Sequence, residues 1–196
     1  MRKLSIKDRI LRRLGLDVSG ETPANWHEDF VVHLAQILRP QTYVELGLYK
    51  CQVFNRVSKI ADISIGIDIE PDAVALMKKS TNNYFIGKST ADALDKVENI
   101  LGGKGIDMIF IDADHSRESV LTDFNNYFPL VNENGLILMH DAYPMSEEMT
   151  SKGYCGDGYK AIYELSLQRD TFELVTIPHH PGLAICRKRS KQLSWE

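Results

Sequence analysis

From residue 42 onward the chain alternates short apolar runs with stretches of helical spacing. Apolar runs at Tyr43 to Leu46, Ile63 to Asp68, Tyr84 to Ile86, Ile106 to Ile111 and Leu136 to His140 predict five strands. Several are apolar at consecutive positions, so both faces should be covered, as in buried parallel strands. Helix signals lie between them: Pro71 with Asp72 at one start, Ser89 with Asp92 as a capping box, and Gly102 with Gly103 at a stop. Ser116 precedes a helix whose Val120, Leu121, Phe124, Tyr127 and Phe128 share a face. Strands that alternate with helices at such spacing predict a parallel sheet with right-handed crossovers. The rhythm breaks at the end, where only Pro178 to Gly182 separate Phe172 to Ile177 from Leu183 to Arg187, so these two strands form an antiparallel hairpin. The expected fold is α/β, a doubly wound sheet of about seven strands, mostly parallel, preceded by N-terminal helices.

Ahead of the first strand, Thr22 as N-cap and Pro23 at the first helical position open a helix that should bury Phe30, Val31, Leu34, Ile37 and Leu38. Residues 1–14 carry six basic side chains and one acidic one among spaced leucines and isoleucines, which reads as a short basic amphipathic helix stopped at Gly15. It either packs on the domain edge or touches an anionic surface or a second subunit. The expected organisation is an N-terminal arm and helix over 1–40, a single domain over 41–188 and a basic tail over 189–196, with the basic run Arg187, Lys188, Arg189 and Lys191 expected to fray as the last strand ends.

Composition narrows the function. With 43% hydrophobic and 26% charged residues in 196, the chain is neither disordered nor collagen-like and is long enough for one core. A net charge of -4 supplies no field for polyanions, so no nucleic-acid partner is expected. The three cysteines, at 51, 155 and 186, make neither a disulfide framework nor a zinc spacing, which suits a reducing cytoplasm. No apolar run reaches the roughly 18 residues of a membrane span. Oligomeric state is left open, a homo-oligomer included.

In an open parallel sheet, ligands bind beyond the carboxyl ends of the strands. Those ends are polar here: Glu45 with Gly47, Asp68 with Glu70, Ser89 with Thr90, Asp112 with Asp114, and His140 with Asp141. Capping explains Ser89, Thr90 and Glu70 equally well. Asp68 follows Gly47 by about 20 residues, the separation at which a carboxylate accepts from ribose hydroxyls. The turn Gly47 to Gln52 lacks the GxGxxG pattern that carries a pyrophosphate, which disfavours a dehydrogenase and suits a nucleoside ligand without phosphates.

These residues resemble the class I S-adenosylmethionine-dependent methyltransferases over nearly all of residues 41–188. Val44 to Tyr49 looks like their first motif and Gly66 to Pro71 like their second. Ile109 to Ser116, with Gly135 to Asp141, resembles the metal-assisted O-methyltransferase branch, which includes catechol O-methyltransferase, the macrolide-sugar O-methyltransferases and the small bacterial cephalosporin-hydroxylase-like proteins. The resemblance implies a Rossmann-like domain and S-adenosyl-L-methionine as cofactor. Glu45, Gly47 and Tyr49 would lie at its methionine end, Asp68 at the ribose and Ser89 and Thr90 at the adenine, and Asp112 would also belong to the cofactor site and to the catalytic residues. Asp112 and Asp141 would be ligands of Mg2+ or another divalent cation, with His140 standing where the branch has a further carboxylate. Cys51 likewise stands where the family has glycine.

Methyl transfer to oxygen requires alignment and the loss of a proton from the acceptor. Asp112 and Asp141, at the ends of neighbouring strands, stay ionised together only with a cation or donors between them; otherwise they share a proton and one serves as base. His115 and His140 are the candidate proton acceptors, and His179 and His180 share their end of the sheet. Residues 141–158 form either a substrate lid or a disordered excursion. The expected protein is a methyltransferase acting on a hydroxyl of a small molecule or saccharide. A metal-free enzyme with a histidine base, or an inactive binding module of the same fold, is the alternative.

Overall fold

The computed structural model describes residues 25–168 and 170–189. Seven strands form one sheet: β1 (Thr42–Leu46), β2 (Ile63–Asp68), β3 (Asn83–Gly87), β4 (Ile106–Ile111), β5 (Val131–His140), β6 (Phe172–Ile177) and β7 (Leu183–Lys188). Their order is β3-β2-β1-β4-β5-β7-β6, parallel except that β7 runs antiparallel to both of its neighbours. Order reverses between β1 and β4, and this places a crevice above the carboxyl ends of those two strands. Helices α1 (Trp26–Leu38), α2 (Phe54–Val57), α3 (Ala73–Leu76), α4 (Leu94–Leu101), α5 (Arg117–Tyr127) and α6 (Tyr159–Ser166) cover the two faces. No helix among the described residues is long and apolar enough to cross a membrane.

The core follows from the strand sequences. All five residues of β1 are buried, so its alternate side chains enter two separate clusters: Val44 and Leu46 on one face, Tyr43 on the other. Tertiary packing extends β5 back to Val131, before the apolar run that predicts it, through a register shift between Ile106 and Met108. The Ser89 hydroxyl accepts from Asp92 N–H and donates to the Asp92 carboxylate, the hydroxyl half of the expected capping box, and the Ser116 hydroxyl accepts from Ser119 N–H at the start of α5.

Three expectations need correction. Ile37 and Leu38 do not join the buried face of α1: they are 71% and 47% exposed, while His27, Val31 and Ala35, spaced i, i+4, i+8, face the sheet. The helix is therefore rotated so that a histidine goes in and two aliphatic side chains come out. Arg187 and Lys188 are not frayed but complete β7, where Lys188 Nζ donates to the carbonyls of Val131 at 2.7 Å and Phe128 at 3.0 Å. Arg187 and Arg189 both pair with Glu173 on β6. The loop after β5 is no disordered excursion. It is an ordered strap joined by backbone hydrogen bonds to the 181–182 turn at one end and to His115 at the other. The expected basic helix over 1–14, the start at Thr22 and Pro23, and the tail beyond Arg189 lie outside the described residues.

Candidate active site

A cleft of about 730 Å3 opens above the reversal point, lined among others by Gly47, Tyr49, Asp68, Ser89, Thr90 and Asp112. These are six of the seven residues that sequence reasoning assigns to a cofactor. Glu45, the seventh, is placed behind the cleft, buried and accepting a hydrogen bond from the Tyr43 hydroxyl. Burial foremost pushes its carboxyl well above the usual range.

The first turn is shaped by Asp68. Its Oδ2 accepts from Leu48 N–H at 2.8 Å and Tyr49 N–H at 3.0 Å, and its Oδ1 from Glu70 N–H at 2.8 Å. The carboxylate thus ties the β1 turn to the β2 turn and still has about one acceptor position free, on Oδ1, since each carboxylate oxygen accepts about two bonds. Cys51, where the resemblance implies glycine, has a glycine-like φ of 54°. Its side chain turns into the core, where the thiol donates to the Ala73 carbonyl at 3.3 Å, and it does not line the cleft.

At the far end of the cleft, the Thr90 hydroxyl donates to Asp123, which is only 1% exposed and whose second oxygen has no partner among the described residues. Burial raises this carboxyl from 3.8 to about 6. Between about pH 4 and pH 6 the folded chain therefore keeps a proton that the unfolded chain releases, so stability falls as pH rises through that window and stays lower above it. Asp123→Asn keeps an acceptor for Thr90 and removes the buried charge. By urea denaturation it should match the parent near pH 4 and exceed it by about 2 kcal/mol at pH 7.5.

Beside the cleft, Asp112, His115, His140 and Asp141 bring one ligand atom each within 4.8 Å of one another. Strand pairing explains half of this: β4 and β5 are neighbours in register at Ile111 and Met139, so the next residues, Asp112 and His140, meet. His140 Nδ1 lies 2.8 Å from Asp112 Oδ1. His115 Nδ1 lies 2.7 Å from Asp141 Oδ2 and 2.7 Å from the Tyr154 carbonyl. His140 Nδ1 is also 3.4 Å from that same Asp141 oxygen. Imidazoles thus stand between the two carboxylates.

The electrostatics agree. Burial works against a charged His140, but Asp112 and Asp141 outweigh it and raise the ring to about 10. Contact with Asp141 foremost raises His115 to about 9. Burial would raise Asp141, yet the two imidazoles hold it far below the usual carboxylate range. The site fits a divalent cation on its donor set: two carboxylates and two imidazoles converge, and His140 Nε2 is buried with no partner among the described residues. Mixed nitrogen and oxygen donors suit Mn2+, Fe2+, Co2+ or Zn2+ better than Mg2+, which prefers oxygen.

Two neighbours escape sequence reasoning. His27 on α1 stacks on His140 with ring centroids 4.0 Å apart, and burial foremost lowers it to about 4, so it stays uncharged. Its one signal is the i, i+4 spacing to Val31. The Cys155 thiol is buried against Asp141, and burial foremost pushes it up to about 12. His179 and His180 stay outside the cluster: Trp26 Nε1 donates to the His180 carbonyl at 2.9 Å, and the Trp26 ring packs edge-on against His179.

Residues 30–142 match a family model described as a methyltransferase domain. An uncharacterized protein of Acanthamoeba polyphaga mimivirus is 31% identical over 113 residues, and the chain spans about half of that relative's length, 51%, as the match spans 51% of this chain. Solved structures share the fold at low identity. The O-methyltransferase from Bacillus cereus in complex with SAH superposes with a TM-score of 0.71 at 15% identity, covering 96% of this chain and 93% of that one. The O-methyltransferase TomG from Streptomyces achromogenes in complex with SAM gives 0.67 at 13%, covering 96% and 92%. The N-methyltransferase NodS from Bradyrhizobium japonicum gives 0.63 at 13%, covering 85% and 96%.

Proposed function

This chain belongs to the methyltransferase-domain family, and from that premise we propose that it is an S-adenosylmethionine-dependent O-methyltransferase acting on a hydroxylated small molecule or saccharide. Asp112, His140 and Asp141, joined by His115, would hold a divalent cation beside the cleft. The observation that carries the reading is that Asp112 belongs to both places: it lines the cleft and it contacts His140. A methyl donor in the one and an acceptor oxygen at the other would therefore lie side by side.

The cofactor supplies a methyl group on a sulfonium, and the cation would lower the pKa of an acceptor hydroxyl. The chain's own residues do the rest. Tyr49 and Gly47 border the cleft above β1, Asp68 would offer its remaining acceptor position on Oδ1 to a ribose hydroxyl, and Ser89 and Thr90 would face the adenine. Alignment of donor and acceptor in such a site supplies about 7 to 11 kcal/mol of the barrier. A histidine base acting without a cation is the weaker reading. It needs an uncharged imidazole, which the carboxylate contacts of His115 and His140 oppose, whereas a cation entering the cluster would itself displace the protons from the rings that ligate it.

Titration calorimetry tests the cofactor half and methyl transfer tests the cation half. S-adenosylhomocysteine should bind, and no heat at millimolar ligand would overturn the cofactor assignment. Transfer of a labelled methyl group to catechol and saccharide hydroxyls should stop on adding EDTA and return with Mn2+; transfer indifferent to the chelator would overturn the cation.

A further inference from the structure

We infer that residues 154–158 (Tyr-Cys-Gly-Asp-Gly) are a positioning segment for His115, and that Gly156 is the residue on which this depends. The inference rests on reading the cluster as a cation site. His115 follows β4 by only a few residues and lies on no regular element, so its backbone needs support from elsewhere. That support comes from the end of the strap. Gly158 N–H donates to the His115 carbonyl at 2.8 Å, and the Tyr154 carbonyl lies 2.7 Å from the His115 ring. Asp157 Oδ1 accepts from Arg117 N–H at 2.7 Å, in the first turn of α5. The strap therefore grips both His115 and the helix that begins beside it.

Gly156 lets the two backbones approach this closely. Its φ is +58°, and a Cβ there would stand 2.4 Å from the His115 carbonyl oxygen and 3.0 Å from its carbonyl carbon. Those are backbone atoms of the very residue whose ring enters the cluster, so they cannot swing aside as a flexible side chain would. Any side chain at 156 must push His115 or lift the strap from it. Either way the imidazole leaves its place against Asp141. Gly102 provides a matched comparison, because its φ is +57° but a Cβ there meets nothing within 4 Å. Gly102→Ala carries the same backbone strain without the contact.

The test compares the parent, Gly156→Ala and Gly102→Ala in the full chain. The His115 ring signal in 1H–13C NMR, assigned by its loss in His115→Gln, reports position without any metal. Mn2+ affinity, read by the free-ion EPR signal, reports the cluster, and S-adenosylhomocysteine affinity reports the cleft. Gly156→Ala should displace the His115 signal and weaken Mn2+ binding at least tenfold, the scale of a disturbed ligand support. Its cofactor affinity should stay within about twofold, since residue 156 does not line the cleft. Gly102→Ala should move neither the signal nor Mn2+. A His115 signal in Gly156→Ala that coincides with the parent's overturns the inference. Failure of the parent to hold Mn2+ overturns the cation reading instead, and the ring signal still decides the positioning role. Should Gly156→Ala not fold, Asp157→Ala must displace the signal and Asp157→Asn, which keeps an acceptor for Arg117, must restore it; no displacement in Asp157→Ala overturns the inference.

Discussion

Asp112→Ala is expected to weaken Mn2+ binding by at least about a hundredfold, because even the outer partners of metal ligands are worth ten- to a hundredfold and this carboxylate would be a direct one. It should also abolish chelator-sensitive methyl transfer. A second effect appears in stability. Asp112 is among the charges that raise His140 from 6.5 to about 10. A histidine raised on folding contributes stability that is fully present below pH 6.5 and is lost as pH climbs through about 10. Asp112→Ala should therefore be less stable than the parent at pH 6 to 7, with the gap narrowing as pH rises toward 10. Asp112→Asn separates the two roles: it keeps an oxygen for His140 Nδ1 but carries no charge. It should lose the cation nearly as completely as the alanine variant while losing less stability. Unchanged Mn2+ affinity in either variant would remove Asp112 from the cation site.

How much of this is legible in the sequence depends on how local each signal is. Strand β4 and the second half of β5 are readable because apolar runs of five or six residues bounded by turn signals fit strands covered on both faces and are too short for a buried helix. The hairpin is readable because Pro181 and Gly182 allow a turn and little else. Asp68, Ser89, Thr90 and Asp112 are readable because topology alone brings strand ends to one edge, and the cleft lies there. The face of α1 misleads, since Ile37 and Leu38 look like core in one dimension, and the rotation that buries His27 is decided by the sheet beneath. His115 shows the limit best. Its sequence neighbourhood suggests a base near the cleft. Its place in a four-residue cluster depends on Tyr154, Gly156 and Gly158, some forty positions away, and such contacts leave no spacing to detect.

Gly47→Ala should be the most damaging single substitution in the β1 turn. Gly47 has φ +83°, and a Cβ there would stand 2.2 Å from the Asp112 carbonyl oxygen and 2.7 Å from Ala113 Cα. The backbone term costs about 1 kcal/mol, as for other non-glycine residues in this region. Overpacking against backbone that cannot rotate away adds about 1 to 3 kcal/mol. Together these correspond to a fall in melting temperature of roughly 5 to 15 °C for a domain of this size. Because the obstruction falls on Asp112 itself, the variant should lose cofactor binding and the cation together, unlike Gly156→Ala, which should spare the cofactor. Cys51, four residues further on, shows why the penalty is not a general dislike of side chains here. It accepts a comparable φ of 54° because its thiol has a core pocket and a carbonyl acceptor to enter, whereas the direction a Cβ would take at Gly47 is already filled by the strand end that carries Asp112. Thermal melts with calorimetry on S-adenosylhomocysteine check this: a Gly47→Ala variant that melts with the parent and binds the ligand equally well would show that β1 and β4 are not packed this closely at the cleft.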